Sequence, residues 1–589
     1  MLAGLVVYAY GFQVTQVNLE ATRSPRRQEQ LVRILRALAR PDLLDYEQDE
    51  FPVSAPILIP CPEGESALPE PDRSGPYMIL NPPCAEPRAE IQVEGFNFEP
   101  ETEGPISLIP PSGVTLQLDT IETDAAGHFA LTVRLPRRQP TEEVQYIRAV
   151  TRRNLGPPHL SQTALDTWDK IIETVFLALL ATTIGTALAI PASFFAARNL
   201  MKSVSSPLSS VALTLLAVPV GLAAGAAAAR WMGEISLMLN ASVALNMAGL
   251  ILSPLVVWGA ARWALPQVEI QRPRPFLRAA RLLALLLAAF AGILALFQLA
   301  RLAETPGTAL ALRLGQFAFL GAFIADLGDI LGTLIVLLTA LAGAAILGNA
   351  GGRLGQFLAE RLPSPATRAF DLLLAAAAGA TVVISLGLAI DWLYQINDPV
   401  KTFWWPAAAG ALAGLALALK TRPGETLPVG LAVYYVTRTI FNTLRSIEPL
   451  IMVIVFAVWV SIGPFAGVLA LSLHTIAALA KLYSEQVESI LPGPLEAVTA
   501  TGATRLQMIV YAVLPQIIPP YISFTMYRWD INVRMSTIIG FAGGGGIGFL
   551  LQQNINLLNY RAASAQMLAI AIVVATMDYV SSRLRERAI

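Results

Sequence analysis

Four polar residues lie close together in an otherwise apolar run near the end of the chain: Arg528, Asp530, Asn532 and Arg534. Charged groups this close together in lipid must pair with one another or line a wet cavity. Residues spaced at i, i+2 and i+4 cannot share one helical face, so we expect some of the four to pair structurally. The run is therefore a candidate for an ion-paired cluster or a water-filled pathway, and no pattern in it predicts a catalytic residue.

The other reactive residue types give weaker signals. His474 has no second ligand at metal spacing, so we expect a hydrogen-bonded packing residue rather than a proton relay. A second run is rich in glycine and contains Gly543, Gly544, Gly545, Gly546 and Gly548. No Lys-Ser/Thr pair follows these glycines, which argues against a phosphate-cradling loop. A P-loop pattern is absent from the whole sequence, so we do not expect this chain to hydrolyse ATP by that chemistry.

The chain contains two cysteines, Cys61 and Cys84, both in a proline-rich region. Two cysteines exclude a cysteine-rich zinc site. In an oxidising compartment a disulfide between them would stabilise the fold by about 3 kcal/mol. Two buried free thiols are the alternative.

Composition places these residues in a membrane protein. Hydrophobic residues make up 54% of the chain and charged residues 14%, and the mean hydropathy is +0.56. A soluble domain carries roughly one-quarter charged residues. The net charge of −1 and the lack of a basic stripe with aromatic residues predict no binding of nucleic acid. We predict a polytopic α-helical membrane protein of about 12 spans with a small β-sandwich-like extracytoplasmic domain.

The N-terminal third divides into a short apolar segment and a polar domain. Residues 1–18 are expected to form the first transmembrane helix, with a signal peptide as the alternative. Residues 19–165 are rich in Pro, Glu and Arg, and 28–40 have the spacing of an amphipathic helix. Alternating residues between 51 and 150 predict antiparallel strands, and 123–136 resemble the hairpins of bacterial extracellular Ig-like modules. These residues form the predicted extracytoplasmic domain.

The remaining chain is expected to cross the membrane repeatedly. Residues 166–202 contain one span, and 431–589 contain the last group of spans. Between them, 203–430 are predicted to insert six helices at 208–229, 241–264, 277–300, 328–349, 370–395 and 402–420. The apolar segment 308–325 is predicted to be re-entrant or interfacial.

One polar segment separates two apolar helices of the last group. Prolines are tolerated in the first turn of a helix, so we expect a helix to begin near Pro494, with Glu496 near its positive end. Gly502 can take the left-handed conformation that ends a helix. A helix over 494–502 is too short to be stable alone, so we expect it to dock on a partner.

Five residues of this segment resemble the cytoplasmic coupling motif of binding-protein-dependent ABC importer permeases: Glu496, Ala497, Gly502, Leu514 and Pro515. Residues 166–202 and 431–589 more broadly resemble the permease subunits of phosphonate-type importers, including a glycine-rich re-entry loop at 543–548. Two departures are Val498 in place of the usual alanine and the order Glu448-Pro449, where the family has proline first.

The resemblance implies a division of labour. Two copies of the chain would form the pathway, a cytoplasmic ABC ATPase dimer would dock on the coupling helices, and an extracytoplasmic substrate-binding protein would deliver the solute. No cofactor is expected in this chain, because Mg-ATP would bind to the partner ATPase. Arg534 and Asn532, and then Arg528, would contact a phosphonate or phosphite, since guanidinium groups match such oxyanions. Pairing of Arg534 or Arg528 with Asp530 is the alternative.

Placing the coupling segment inside the cell fixes the direction of every span. Apart from Lys170 and the 14 arginines of the polar domain, the short inside segments then carry 19 Lys and Arg against 7 outside. The positive-inside rule is met by these short segments, and long domains translocate largely regardless of charge. The expected location is the bacterial cytoplasmic membrane, in contact with lipid, and the extracytoplasmic domain is expected to dock the binding protein.

Three alternatives remain open from the sequence. The first is an ABC permease for another solute, such as phosphate, methionine or a thiamine-like compound. The second is a secondary transporter, which needs no ATPase. The third is a membrane sensor that uses residues 19–165 as its receptor.

Overall fold

The chain folds into two compact units in the computed structural model. The structure describes residues 2–16, 20–61, 71–137, 143–240, 242–265, 275–361, 363–422 and 425–588. The first unit comprises Met1–Pro191, Phe441–Gln486 and Ile490–Ile589, and the second comprises Ala192–Ile440 and Val487–Ser489. The second unit corresponds closely to the segment predicted as an insertion.

Three helices open the first unit: α1 Leu2–Val14, α2 Glu20–Arg23 and α3 Pro25–Leu38. The segment predicted as the first span is only 13 residues of helix, which rise about 20 Å against a hydrocarbon core of about 30 Å. Helix α3 is amphipathic as predicted, with Leu31 and Leu35 both exposed on its apolar face.

Seven strands follow. Their bounds are β1 Leu44–Ile57, β2 Tyr77–Asn81, β3 Glu90–Phe96, β4 Glu103–Ile109, β5 Leu116–Glu122, β6 Phe129–Arg134 and β7 Gln145–Leu160. They form two antiparallel sheets with the orders β1-β7-β4-β5 and β2-β3-β6. The resemblance of 123–136 to a hairpin was wrong, because β5 and β6 belong to different sheets.

The two sheets share one apolar core. Ile57, Ile106 and Ile147 from the first sheet pack with Ile91 and Val93 from the second, and each is at most 1% exposed. Inward and outward residues alternate along β3, as expected for a strand with one buried face. The longest pair, β1 with β7, contains prolines and charged residues, which conceal its alternation in the sequence.

The membrane helices begin with α4, and the second unit contains six long helices. The helical bounds are α4 Gln162–Phe195, α5 Arg198–Lys202, α6 Leu208–Leu239, α7 Val243–Ala264, α8 Pro275–Arg313, α9 Ala318–Arg361, α10 Ser364–Tyr394, α11 Trp405–Lys420 and α12 Val429–Ser446. A π-helical turn, Val400–Trp404, leads into α11, and the two-residue strands β8 Ser206–Pro207 and β9 Thr426–Leu427 pair near the ends of the unit. The segment predicted as re-entrant instead belongs to the ends of α8 and α9, which a 3-10 turn at Gly315–Phe317 connects.

Helices α6 and α9 pack with their backbones in close contact. A Cβ atom added to Gly221 would lie 2.4 Å from the carbonyl oxygen of Gly343, and one added to Gly225 would lie 2.3 Å from that of Thr339. Small residues allow this approach, which is a common way for helices to associate in membranes.

The last helices complete the first unit. They are α13 Pro449–Val460, α14 Pro464–Glu488, α15 Pro492–Ala500, α16 Arg505–Met508, α17 Leu514–Gly540, α18 Gly546–Asn556 and α19 Tyr560–Ala588. Pro519 and Pro520 each lack a backbone N–H and in a sequence predict a kink or an interruption, but helix α17 continues through both. In the described part of the chain, ten helices are long and apolar enough to span a membrane, or eleven if the bent pair α12 and α13 is one span. Helix α1 is the remaining segment of the twelve that were predicted as spans.

Candidate functional site

Helix α15 contains the predicted coupling residues and stands almost free of the protein. None of its nine residues, all described, is buried. Leu495 and Val498 are half-buried, whereas Glu496 and Ala497 are exposed. The helix begins at Pro492, two residues before the predicted start, because prolines fit the first turn. Gly502 follows with a φ of +78°, the left-handed conformation that suits glycine after a helix.

The chain after Gly502 is fixed by side-chain caps. The side chain of Gln507 accepts the backbone N–H of Thr504 at 2.8 Å, and Thr504 Oγ1 accepts the N–H of Gln507 at 3.4 Å. This reciprocal arrangement is a capping box. A π-helical segment, Ile509–Val513, then leads into α17. The side chain of Gln516 accepts a hydrogen bond from the N–H of Leu491 at 3.0 Å. The residue before α15 is therefore bonded to the start of α17, and the residues after α15 lead into α17 along the chain.

Residues of this segment surround a groove of about 700 Å³. Its lining consists of Ala497, Val498, Thr501, Gly502, Ala503, Gln507 and Tyr511. Two predicted coupling residues, Ala497 and Gly502, therefore lie at the groove. Leu514 and Pro515 are the first two residues of α17, into which the chain continues after the groove.

The glycine run forms a tight turn between α17 and α18. Gly543, Gly545 and Gly546 all have positive φ angles. A Cβ atom on Gly544 would lie 2.1 Å from the Ile539 side chain. These glycines are required by backbone conformation and close packing.

Two residues of α4 hold this turn, and sequence reasoning did not assign them a role. Glu173 accepts the N–H of Gly546 at 2.7 Å, and Thr174 accepts the N–H of Ile547 at 2.8 Å. Both N–H groups belong to the first turn of α18, where a carboxylate is favoured by the helix dipole. Lys170 forms an ion pair with Glu173. The adjacent Glu173 and Thr174 at the entrance to an apolar helix were the feature of the sequence that could have suggested this role.

A polar seam runs between α14 and α17. Tyr483 and Tyr521 stack with ring centroids 3.8 Å apart, and the hydroxyl groups of Tyr483 and Thr525 are hydrogen-bonded. Farther along, Asn532 Nδ2 donates to Thr475 Oγ1 at 3.0 Å and to Thr182 Oγ1 of α4 at 2.8 Å. Asn532 is fully buried. The seam therefore joins three helices through side-chain hydrogen bonds.

The four polar residues predicted as a cluster have different environments. Arg534 pairs with the buried carboxylate of Asp530, one helical turn away, and its guanidinium also lies 3.8 Å from Asp578 of α19. Asn532 is engaged with the two threonines. Arg528 is 8% exposed, and its Nε and Nη2 atoms have no hydrogen-bond acceptor within the described chain. Asp530 Oδ1 also has no partner among the described residues, so Arg528 is distinguished as the one charged member of the four without an ion pair there.

The glycine turn and α15 lie at opposite ends of the first unit. Glu173 of α4 contacts the turn, and Gly543 accepts the N–H of Gly463, just before α14. The polar domain lies towards this same end, since the N–H of Asp42 donates to the carbonyl of Arg561 near the start of α19. Helix α14 has 25 residues and is roughly 37 Å long, enough to cross a bilayer before the chain reaches α15.

Comparison with known proteins adds independent information. Residues 410–587 match the family described as binding-protein-dependent transport system inner membrane component. The phosphite transport system permease protein PtxC of Stutzerimonas stutzeri is 40% identical over 196 residues, covering 33% of this chain and 70% of PtxC. The putative cryptic phosphonate transport system permease protein PhnE2 of Escherichia coli K12 is 46% identical over 118 residues, covering 20% of this chain and 97% of PhnE2. The phosphate-import permease protein PhnE of Mycolicibacterium smegmatis is 38% identical over 156 residues, covering 26% of this chain and 29% of that protein.

Proposed function

Since the chain belongs to the family of binding-protein-dependent transport system inner membrane components, we propose that it is the permease subunit of an ATP-driven importer for a phosphorus oxyanion. Phosphite, phosphonate and phosphate esters are the solutes that share this chemistry. The protein is a multi-pass component of the bacterial cytoplasmic membrane. The three relatives named above are permeases for phosphite, phosphonate or phosphate, which supports this class of solute.

The observation that carries the proposal is the exposure of α15. A helix of nine residues with no buried residue is unstable in isolation, so its retention as a helix favours a docking partner. The partner is a cytoplasmic ABC ATPase dimer, which holds Mg-ATP. Closure of that dimer would move α15, and the fixed link through Gln516 would carry the movement into α17.

The same proposal fixes the orientation in the membrane. With α15 inside, the glycine turn and the two-sheet domain lie outside, where a substrate-binding protein delivers the solute. Twelve crossings then comprise α1, α4, the six long helices α6 to α11, the bent pair α12 and α13, and then α14, α17 and α19. Helix α1 is short for a span and would require local thinning of the bilayer.

A second copy of the chain would complete the pathway. Helix α13 exposes several large apolar residues, including Val458 at 86% and Trp459 at 75%. These residues are available for lipid or for the second copy. The two-sheet domain is proposed to dock the binding protein, and deletion of 51–145 should weaken that docking if this role is correct.

Reconstitution tests the proposed function directly. The permease, its ATPase and its binding protein would be placed in liposomes, and uptake of phosphite, methylphosphonate and phosphate would be measured with and without ATP. We expect ATP-dependent uptake of at least one of these solutes. Uptake by the permease without an ATPase would indicate a secondary transporter instead.

A variant of α15 tests the coupling role. Glu496→Lys reverses the charge near the start of α15 and should abolish ATP-dependent uptake while the permease remains folded. Glu360→Lys, at an exposed position near the C-terminal end of α9, is the control and should transport normally. Retained coupling in the Glu496→Lys complex would contradict a role for α15 in docking.

A further inference from the structure

The guanidinium of Arg528 is buried without a counter-charge. Its Nε and Nη2 atoms are inaccessible to solvent and have no acceptor among the described residues. The nearest acidic residue in sequence, Asp530, is engaged with Arg534. Buried arginines are almost always paired or fully hydrogen-bonded. An arginine that keeps unused donors in the interior therefore requires an explanation.

The charged surroundings of Arg528 are positive. In the described chain it interacts electrostatically with Tyr527 and Arg445 and with no carboxylate. His474 of α14 lies close enough to interact with Arg528 and Arg445, and its Nδ1 atom is also buried without a partner. The charged side chain beside Arg528 in the described chain is therefore another arginine, and no carboxylate balances the two guanidinium groups.

The position of Arg528 within the span is close to the middle of the membrane. It precedes the end of α17 at Gly540 by 12 residues, or about 18 Å. His474 is 10 residues from the start of α14 at Pro464, or about 15 Å. The hydrocarbon core is about 30 Å thick, so both residues lie near its centre. Lipid phosphates are found at the headgroups, far from this depth.

Arg528 lies on the part of α17 that forms the polar seam with α14. It lies between Thr525 and Asn532 on α17, and both of those residues contact α14. Arg445, at the end of α12, is exposed, which leaves the cluster open on one side. The guanidinium of Arg528 is therefore a buried pair of N–H donors, and Arg445 is its solvent-accessible neighbour.

We propose that Arg528, with Arg445 beside it, forms an oxyanion-binding subsite halfway along the pathway, and that its ligand is the phosphorus oxyanion being transported. This inference rests on the proposed function and identifies where the solute is held. The fork geometry of a guanidinium matches two oxygens of a tetrahedral oxyanion. Arg534 and Asn532, which the sequence favoured for this role, are engaged with other residues.

The test uses the reconstituted complex with its ATPase and binding protein. Arg528→Gln removes the charge and the fork, and uptake of phosphite, methylphosphonate and phosphate should fall about tenfold or more, as expected for lost hydrogen bonds to a charged group. Basal ATP hydrolysis and the amount of assembled complex should remain unchanged. Arg301→Gln is the matched control, because Arg301 is another arginine in a membrane helix but is paired with Glu304 at 3.6 Å.

Arg528→Lys separates charge from geometry. Lysine keeps the charge but cannot form a fork, so uptake should lie between the values for the parent protein and Arg528→Gln. If Arg528→Gln does not assemble, Arg528→Lys decides the question. Reduced uptake by an assembled lysine variant supports the subsite, and uptake equal to that of the parent overturns it.

Other outcomes would also overturn the subsite. Uptake within twofold of the parent by assembled Arg528→Gln would show that no ligand depends on this residue. An effect seen only in vesicles that contain phosphatidylglycerol would identify a lipid as the occupant. If the parent complex transports none of the three solutes, the proposed function fails instead.

Discussion

At the scale of single residues, some polar side chains of the membrane helices bond to partners that are distant in sequence. Asn532 bonds to Thr182 across 350 residues and to Thr475 across 57. A local pattern could show that Asp530 and Arg534 lie one turn apart and are able to pair. It could not show that Asn532 is hydrogen-bonded to two threonines or that Arg528 lacks an acceptor in the described chain, because those contacts depend on how α4, α14 and α17 pack together.

Two adjacent threonines of α4 provide a sharp test of the seam. Thr182→Val removes the acceptor for Asn532 Nδ2 and should destabilise the protein by about 1–2 kcal/mol, the usual cost of leaving a buried donor short of a partner. Thr183 is exposed and its hydroxyl bonds to the carbonyl of Leu179 in the same helix, so Thr183→Val should have little effect. Thermal unfolding of both variants in detergent would measure the difference. Equal stability of the two would show that the hydrogen bond to Asn532 is unimportant.

At the scale of elements, apolar runs predicted the positions of the long helices, but not their ends. Helices α8 and α9 continue beyond the apolar windows into the segment that was predicted to be re-entrant, because a helix can extend past the hydrocarbon core without losing its hydrogen bonds. In the polar domain, β3, β5 and β6 were visible as alternating residues. Strands β1 and β7 were not, since their pairing is long-range and their sequences contain prolines and charges.

The close packing of α6 and α9 can be tested through one glycine. Gly225→Val would place a Cβ atom 2.3 Å from the carbonyl oxygen of Thr339, so the two helices would have to separate. Overpacking of this kind typically costs about 1–3 kcal/mol. No atom lies within 4 Å of a Cβ atom added to Gly259 of α7, so Gly259→Val is the control. The midpoint of thermal unfolding should fall for the first variant alone, and a similar midpoint for both would refute the tight contact.

The turn between β5 and β6 predicts a dependence on pH. Asp124 Oδ1 accepts the N–H of His128 at 2.8 Å and that of Ala126 at 2.9 Å. These bonds, chiefly the one from His128, hold the pKa of Asp124 below its ordinary value of 3.8. A carboxyl group whose pKa is lowered by folding contributes stability above its ordinary pKa, and this contribution disappears as the pH falls through the folded value.

The protection factors of the amides in this turn, which are the intrinsic exchange rates divided by the observed rates, should therefore be constant from neutral pH to about pH 5 and fall only below about pH 4. Asp124→Asn should weaken this acid sensitivity. Asp119→Asn, on β5, where the side chain accepts the neighbouring N–H of Thr120, should preserve it. Identical acid profiles for the parent and Asp124→Asn would exclude Asp124 as the titrating group.

At the scale of the whole molecule, the sequence alone led to the family and to the proposed orientation. The composition, the coupling motif and the glycine run each depend on local sequence, which is why they could be read without coordinates. The second unit is different. Its helices pack through glycines in a way that the sequence permits but does not specify, and no residue described in it points to a solute.

Labelling with a membrane-impermeant thiol reagent tests the orientation. A cysteine introduced at Thr499, on exposed α15, should react only from the cytoplasmic side. A cysteine introduced at Ser112, exposed between β4 and β5, should react only from outside. The structure joins Cys61 and Cys84 in a disulfide, as suits an extracytoplasmic domain, so neither native cysteine should react. Labelling of Thr499→Cys from outside would invert the orientation and rule out contact with a cytoplasmic ATPase.

The attachment of α3 to α19 has a consequence for biosynthesis. The hydroxyl of Ser564 donates to the carbonyl of Leu38 across 526 positions of the chain, and Arg561 Nε donates to the carbonyl of Arg40 at 3.4 Å. A ribosome makes α3 long before it makes α19, so the carbonyl groups of Leu38 and Arg40 have no partner until translation has passed Ser564. Anchoring of the start of the polar domain to the membrane helices is therefore a late, post-insertion step of biosynthesis.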